Sequence, residues 1–309
     1  MRPPFALLLG RVMIAAAWAD GELSEDERVA LEDLLFSMPD LDADTWRALR
    51  GELGRPFDAE HRERLIAELE EALGDAQTRV RARETLEQLS ARLGPETDEG
   101  RALAAALEAV DAASAEAARE GGEAGGWVGR FRRALGDSLG RHAGTLVRSR
   151  DREEALCAKL QRRLTAHWPD EEPLPDDVEL RRLALGAAIL AHLVRLDEIV
   201  EAGERDALIE GLTNQWGLEP ATASRVAELA LDETSGGVDL HLLLRDFVEV
   251  TDEDQRQRFL AAVFRVAAAD GRASFDEIEE VRRIGRGLLL SHRHFISAKL
   301  SLPERFRET

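Results

Sequence analysis

Three pairs of acidic residues share one spacing: Asp20 and Glu27, Asp197 and Glu204, Asp270 and Glu277, each an Asp followed seven places later by a Glu. Two of the pairs lie in the same phrase. Ala19-Asp20-Gly21 leads to Ser24, Asp26 and Glu27, and Ala269-Asp270-Gly271 leads to Ser274, Asp276 and Glu277, so both spell A-D-G-x-x-S-x-D-E. Carboxylates are hard oxygen ligands, and a cluster of them suits calcium, magnesium or manganese better than zinc. Four carboxylates gathered in one place repel one another unless a divalent cation or basic side chains neutralise them. Asp-Gly with a following Glu also matches the second half of an EF-hand loop. The first half fails, because the positions that would supply oxygen hold Ala16 and Trp18 in one phrase and Val266 and Ala268 in the other. A calcium EF-hand is excluded.

Elsewhere the chemistry-bearing residues are scattered. His292 and His294 stand two apart and cannot face each other on a helix. His192, inside an apolar run, reads as a core or rim histidine, and His241 next to Asp239 reads as a helix start. Cys157 has no base near it in sequence and reads as structural; a single cysteine rules out an intramolecular disulfide and a Cys-based zinc site. There is no nucleophile elbow, phosphate-cradling loop or H-E-x-x-H pattern. No catalytic residue is assigned, and a non-enzymatic role is the expectation.

The acid pairs need elements to position them, and the pattern supplies helices. Leu31, Leu34, Leu35 and Met38 recur at i, i+3, i+4 and i+7, as do Ile278, Val281, Gly285 and Leu288. Strict alternation is missing, and Gly and Pro punctuate at about one-helix intervals. The expected fold is all-α, with tandem helical bundles built from helical-hairpin repeats. Each acid pair spans a helix–turn–helix junction: an apolar helix closes at Asp-Gly, and Ser24 or Ser274 opens the next helix with Glu27 or Glu277 in a capping box. Capping accounts for the Ser and Glu residues. It leaves Asp20, Asp197 and Asp270 without a role, since an Asp at a helix C-terminus opposes the macrodipole. A fourth junction, at Leu73-Gly74-Asp75, has Ala82 where the acid would stand, and Arg79, Arg81 and Arg83 follow it.

The chain of 309 residues has room for about two domains. Three blocks emerge: a helical unit over 1–98, a connecting region over 99–177 with a Gly-rich break and a basic amphipathic segment, and a second helical unit over 178–303. The opening residues imitate a leader peptide, but Arg11 interrupts the apolar run and Phe259–Ala269 repeats the phrase deep inside the chain. A core helix is the reading. No stretch of eighteen uninterrupted apolar residues occurs, so an ordinary transmembrane helix is not expected.

An Ala-rich helix ending in A-D-G, then a seven-residue step to a Glu in the next helix, twice per domain, resembles the TerB-like tellurite-resistance family and the related domain of membrane-anchored DnaJ-like co-chaperones. Residues 178–303 resemble one whole domain, with Asp197/Glu204 and Asp270/Glu277 as its motif pairs and Gly287–Lys299 as its closing helices. Residues 1–98 resemble a second, eroded copy in which only Asp20/Glu27 is intact. The resemblance implies an all-α fold, an acidic cluster that holds a divalent cation, and a stress-response role in the cytoplasm at or near the inner membrane. It implies no enzymatic activity. The alternative from the residues themselves is a structural interaction module or co-chaperone-like protein without metal, in which the carboxylates only cap helices and pair with arginines.

Charge frames the partners. Sixty-one acids against forty-one bases give a net charge of −20, which argues against nucleic acid and leaves proteins as the expected partners. Residues 127–152 run against this trend, with seven arginines against Asp137 and Asp151 and with Trp127, Phe131, Leu135 and Leu139 stepping by four along one face. A basic amphipathic helix of this kind makes peripheral contact with an anionic membrane or docks on acidic protein. The acidity of the flanking chain favours docking.

Overall fold

The computed structural model describes residues 5–18, 23–38, 41–73, a few positions between 78 and 87, 148–196, 202–269 and 275–301. Among these residues every regular element is a helix, as the periodicity requires. The chain divides into two compact units, Met1–Arg148 and Ser149–Thr309. No described helix is long and apolar enough to cross a membrane.

In the first unit α1 (Phe5–Ala17), α2 (Glu25–Phe36), α3 (Ala43–Leu53) and α4 (Ala59–Leu73) follow one another, and α1 packs on the other three. The apolar run of α1 is core: Leu8, Leu9, Val12, Met13 and Ile14 are buried, against a fully buried Trp46 on α3. Arg11, which breaks that run, is matched by Glu52 of α3. Its Nη2 lies 2.6 Å from Glu52 Oε1 and its Nε 3.0 Å from Oε2, so a paired charge sits at the rim of the packed face.

In the second unit a helix over 148–166, α5, precedes α6 (Asp177–Val194), α7 (Ala202–Trp216), α8 (Pro220–Glu233), a 3₁₀ turn (Thr234–Gly236), α9 (Leu240–Glu249), α10 (Glu253–Ala267), α11 (Phe275–Gly287) and α12 (His292–Ser301). Helix α6 is buried on nearly every side from Leu183 to Leu193, as a run apolar all round must be. It is the hub, with α7, α8, α9 and α10 packed around it. Asp176 caps its N-terminus by accepting the Glu179 N–H. At the start of α10, Asp252 and Gln255 form a capping box. Close approach is built in with glycine: a Cβ at Gly186 would overlap the Trp216 ring of α7. Helix α5 belongs to this unit's core through Cys157, Leu160 and Leu164, three residues of the stretch read as a connection. Burial pushes the Cys157 thiol up to about 11, in keeping with a structural, unreactive cysteine.

Candidate functional site

The three glutamates of the motif occupy equivalent helical positions. Glu27, Glu204 and Glu277 are each the third residue of their helix, α2, α7 and α11. In the first unit the local chemistry is visible in full. Ser24 Oγ accepts the Glu27 N–H at 3.2 Å, and Glu27 Oε2 accepts the Ser24 N–H at 3.0 Å and the Ser24 hydroxyl at 2.7 Å. This is the capping box the spacing predicts, and it engages the carboxylate of Glu27 with its own helix start. Ser274, the equivalent cap of α11, lies outside the described residues.

In the second unit two contacts place the starts of α7 and α11 at one end of the bundle. Helix α7 runs antiparallel along α10. At its far end Gln215 Nε2 donates to the Gln255 carbonyl at 3.4 Å, and midway Gly211 faces Val266 and Ala262 of α10 and Leu190 of α6. At the near end a Cβ on Gly203 would stand 3.7 Å from the Ala269 carbonyl oxygen. Gly203 immediately precedes Glu204, and Ala269 immediately precedes Asp270 in sequence. The second contact joins α6 to α11. His192 Nε2 lies 3.1 Å from Glu280 Oε1, which places the first turns of α11, where Glu277 stands, beside the last turn of α6. The hydrogen bond from His192 holds the Glu280 carboxyl below its ordinary value, against the opposing effect of burial and with help from Arg283.

Gly203 and Ala269, which adjoin the two C-terminal motifs in sequence, thus lie near each other. Glu204 and Glu277 open helices that start at the same end of the bundle. Their partners Asp197 and Asp270 lie outside the described residues, as does Asp20 in the first unit. Among the described residues no group of three or more His, Cys, Asp or Glu side chains could hold a metal ion. Asp75, Arg79, Arg81 and residues 127–147 also lie outside. Arg83 pairs with Glu87 one turn later on its own helix, at 2.8 Å.

The lone histidines behave as their contexts require. His192 is a rim residue engaged by Glu280, and Asp239 caps α9 by accepting the N–H groups of His241 and Leu242. His294 lies near Gln257 and Glu253 rather than His292. The His192–Glu280 brace is invisible to sequence periodicity, because its partners are 88 residues apart. The attachment of α5 was legible in principle: Cys157, Leu160 and Leu164 step by three and four along one helical face.

Comparison with known proteins bears on one part of the chain. No curated protein and no solved structure matches it. The family model described as "Tellurite resistance protein TerB" matches residues 182–300, and so spans both C-terminal acid motifs but does not reach residues 1–98. Residues 182–300, within the second of the chain's two units, are thus similar to the TerB family.

Proposed function

We propose that this chain is a non-enzymatic binding and scaffold protein of the tellurite-resistance type, whose TerB-type domain holds a divalent cation between its two motif turns. Asp197, Glu204, Asp270 and Glu277 are the ligands in this reading, and calcium, magnesium or manganese is the ion. The observation that supports it is the approach of Gly203, next to Glu204 in sequence, to the carbonyl of Ala269, next to Asp270 in sequence. In this reading a cation neutralises the four carboxylates. The protein works in a stress response in the cytoplasm, near the inner membrane, through protein partners rather than nucleic acid. Asp20 and Glu27 form the weaker, structural copy. A second reading, an interaction module without metal, has its own support in Glu27, whose carboxylate engages its own helix cap.

A thermal-shift panel separates the two readings. A cation present at 100 times its dissociation constant adds about 2.7 kcal/mol, a rise on the order of 5–10 °C in the melting temperature of a unit this size. Calcium, magnesium or manganese gives that rise in the unaltered chain, and Asp270→Asn removes it. No rise with any of the three ions supports the metal-free module.

A further inference from the structure

Helix α5 precedes the segment that matches the TerB family model, and its junction with that domain is polar. The first turns of α5, the 3₁₀ turn, the start of α9 and one side of α11 enclose a cleft of about 420 Å³, a volume in the range of small-molecule sites. Its lining is unusual for a chain this acidic. Arg152 and Arg283 flank it, with His192 and His241 between them. Arg152 is held in place by backbone, with Nη2 donating to the Gly236 and Gly237 carbonyls at 2.9 and 2.7 Å. Arg283 is 64% exposed and only loosely paired, 3.7 Å from Glu280. A guanidinium keeps further donors after such contacts, in a planar fork that fits an oxyanion.

Glu153 also lines the cleft and is 5% exposed. Its Oε1 accepts the Asp239 N–H at 2.8 Å, while its Oε2 is buried with no hydrogen-bond partner. A buried oxygen left in that state is costly. The terminal torsion of a glutamate is soft, so the oxygen turns readily toward a donor placed beside it.

We infer that this cleft binds a small hydroxylated phosphate ester, with its phosphate between Arg152 and Arg283 and a ligand hydroxyl donating to Glu153. The polar lining argues against an apolar occupant, and the cleft is closed on one side by α5, so the site is a property of this chain rather than of the matched domain alone. None of its lining residues is a ligand of the cation proposed above, and the inference does not depend on that cation.

Calorimetric titration of the full chain tests the inference with three probes: glycerol 3-phosphate, inorganic phosphate and glycerol. Glycerol 3-phosphate binds saturably and tighter than inorganic phosphate, and glycerol does not bind. Arg283→Ala, a change at an exposed side chain, weakens glycerol 3-phosphate roughly tenfold by removing a charge-assisted contact. Glu153→Gln keeps a carbonyl oxygen for the Asp239 N–H and brings the ester down to the affinity of inorganic phosphate. Absence of saturable binding at millimolar ester, equal affinity for ester and inorganic phosphate in the unaltered chain, or an unchanged affinity in Arg283→Ala overturns the inference. Circular dichroism confirms that each variant is folded, and if Glu153→Gln is not, Arg283→Ala and the probe comparison decide.

Discussion

Glu280 shows how one side chain ties the chemistry of the site to stability. Its carboxyl sits below the ordinary value of about 4.5 because His192 donates to it, and Arg283 adds to the effect. A carboxyl depressed on folding stabilises the folded state above its unfolded pKa, and that stabilisation is lost as pH falls through the folded value. Glu280→Gln therefore costs about 1 kcal/mol at pH 7, and the difference from the unaltered chain closes at acidic pH, as the depressed carboxyl is protonated in the folded state. Urea denaturation at neutral and acidic pH measures it; an equal cost at both would show that the loss is one of packing. At this scale the sequence was informative wherever the partner was local. Ser24 and Glu27 form the predicted box, and Asp239 caps the helix that His241 begins. It was silent where the partner was remote, since nothing near His192 in the chain points to Glu280.

Helix packing explains why the start of α7 lies near the end of α10. Helix α7 lies along α10 with small residues at the closest points, Gly211 against Ala262 among them, and the buried α6 supports both. The register of α7 is fixed by the seating of Trp216 over Gly186. Gly186→Ala places a methyl group inside that ring and destabilises the chain by about 2–3 kcal/mol, as overpacking of a tight core does; a midpoint in urea unchanged from the parent would refute this account of the register. Most of these helices were legible. The i, i+3, i+4 pattern marks them, and the residues from Leu183 to Ala191 are apolar or glycine throughout, as burial of α6 on nearly every side requires. Helix α5 was folded into a connecting region because the Gly-rich and Glu/Ala-rich stretches before it carry little periodic signal. Yet Arg163 on α5 pairs with Asp232 and Glu233 at the end of α8, Lys159 pairs with Glu233, and Glu153 bonds the start of α9. Such partners belong to tertiary structure and leave no local mark.

The whole molecule is a chain of net charge −20 in which one basic stretch stands out. The described end of that stretch turns inward, with Arg152 bonded to the Gly236 and Gly237 carbonyls and Arg150 2.7 Å from Glu154. Full-length protein is therefore expected to stay in the supernatant with anionic vesicles even at low salt, where surface attraction is strongest. Salt-sensitive pelleting that disappears on deleting 127–147 would instead establish membrane contact. The likeness to the TerB family was legible at this scale for residues 182–300, where two acid motifs stand in matching helical settings; the family model does not reach residues 1–98, which hold one. The proposed divalent cation is tested most directly by titration of calcium, magnesium and manganese into the full chain. The expected result is saturable binding of about one ion per chain, abolished by Asp197→Asn combined with Asp270→Asn and retained in Asp20→Asn. Absence of binding for all three ions, or binding that survives the double substitution, would contradict the proposal.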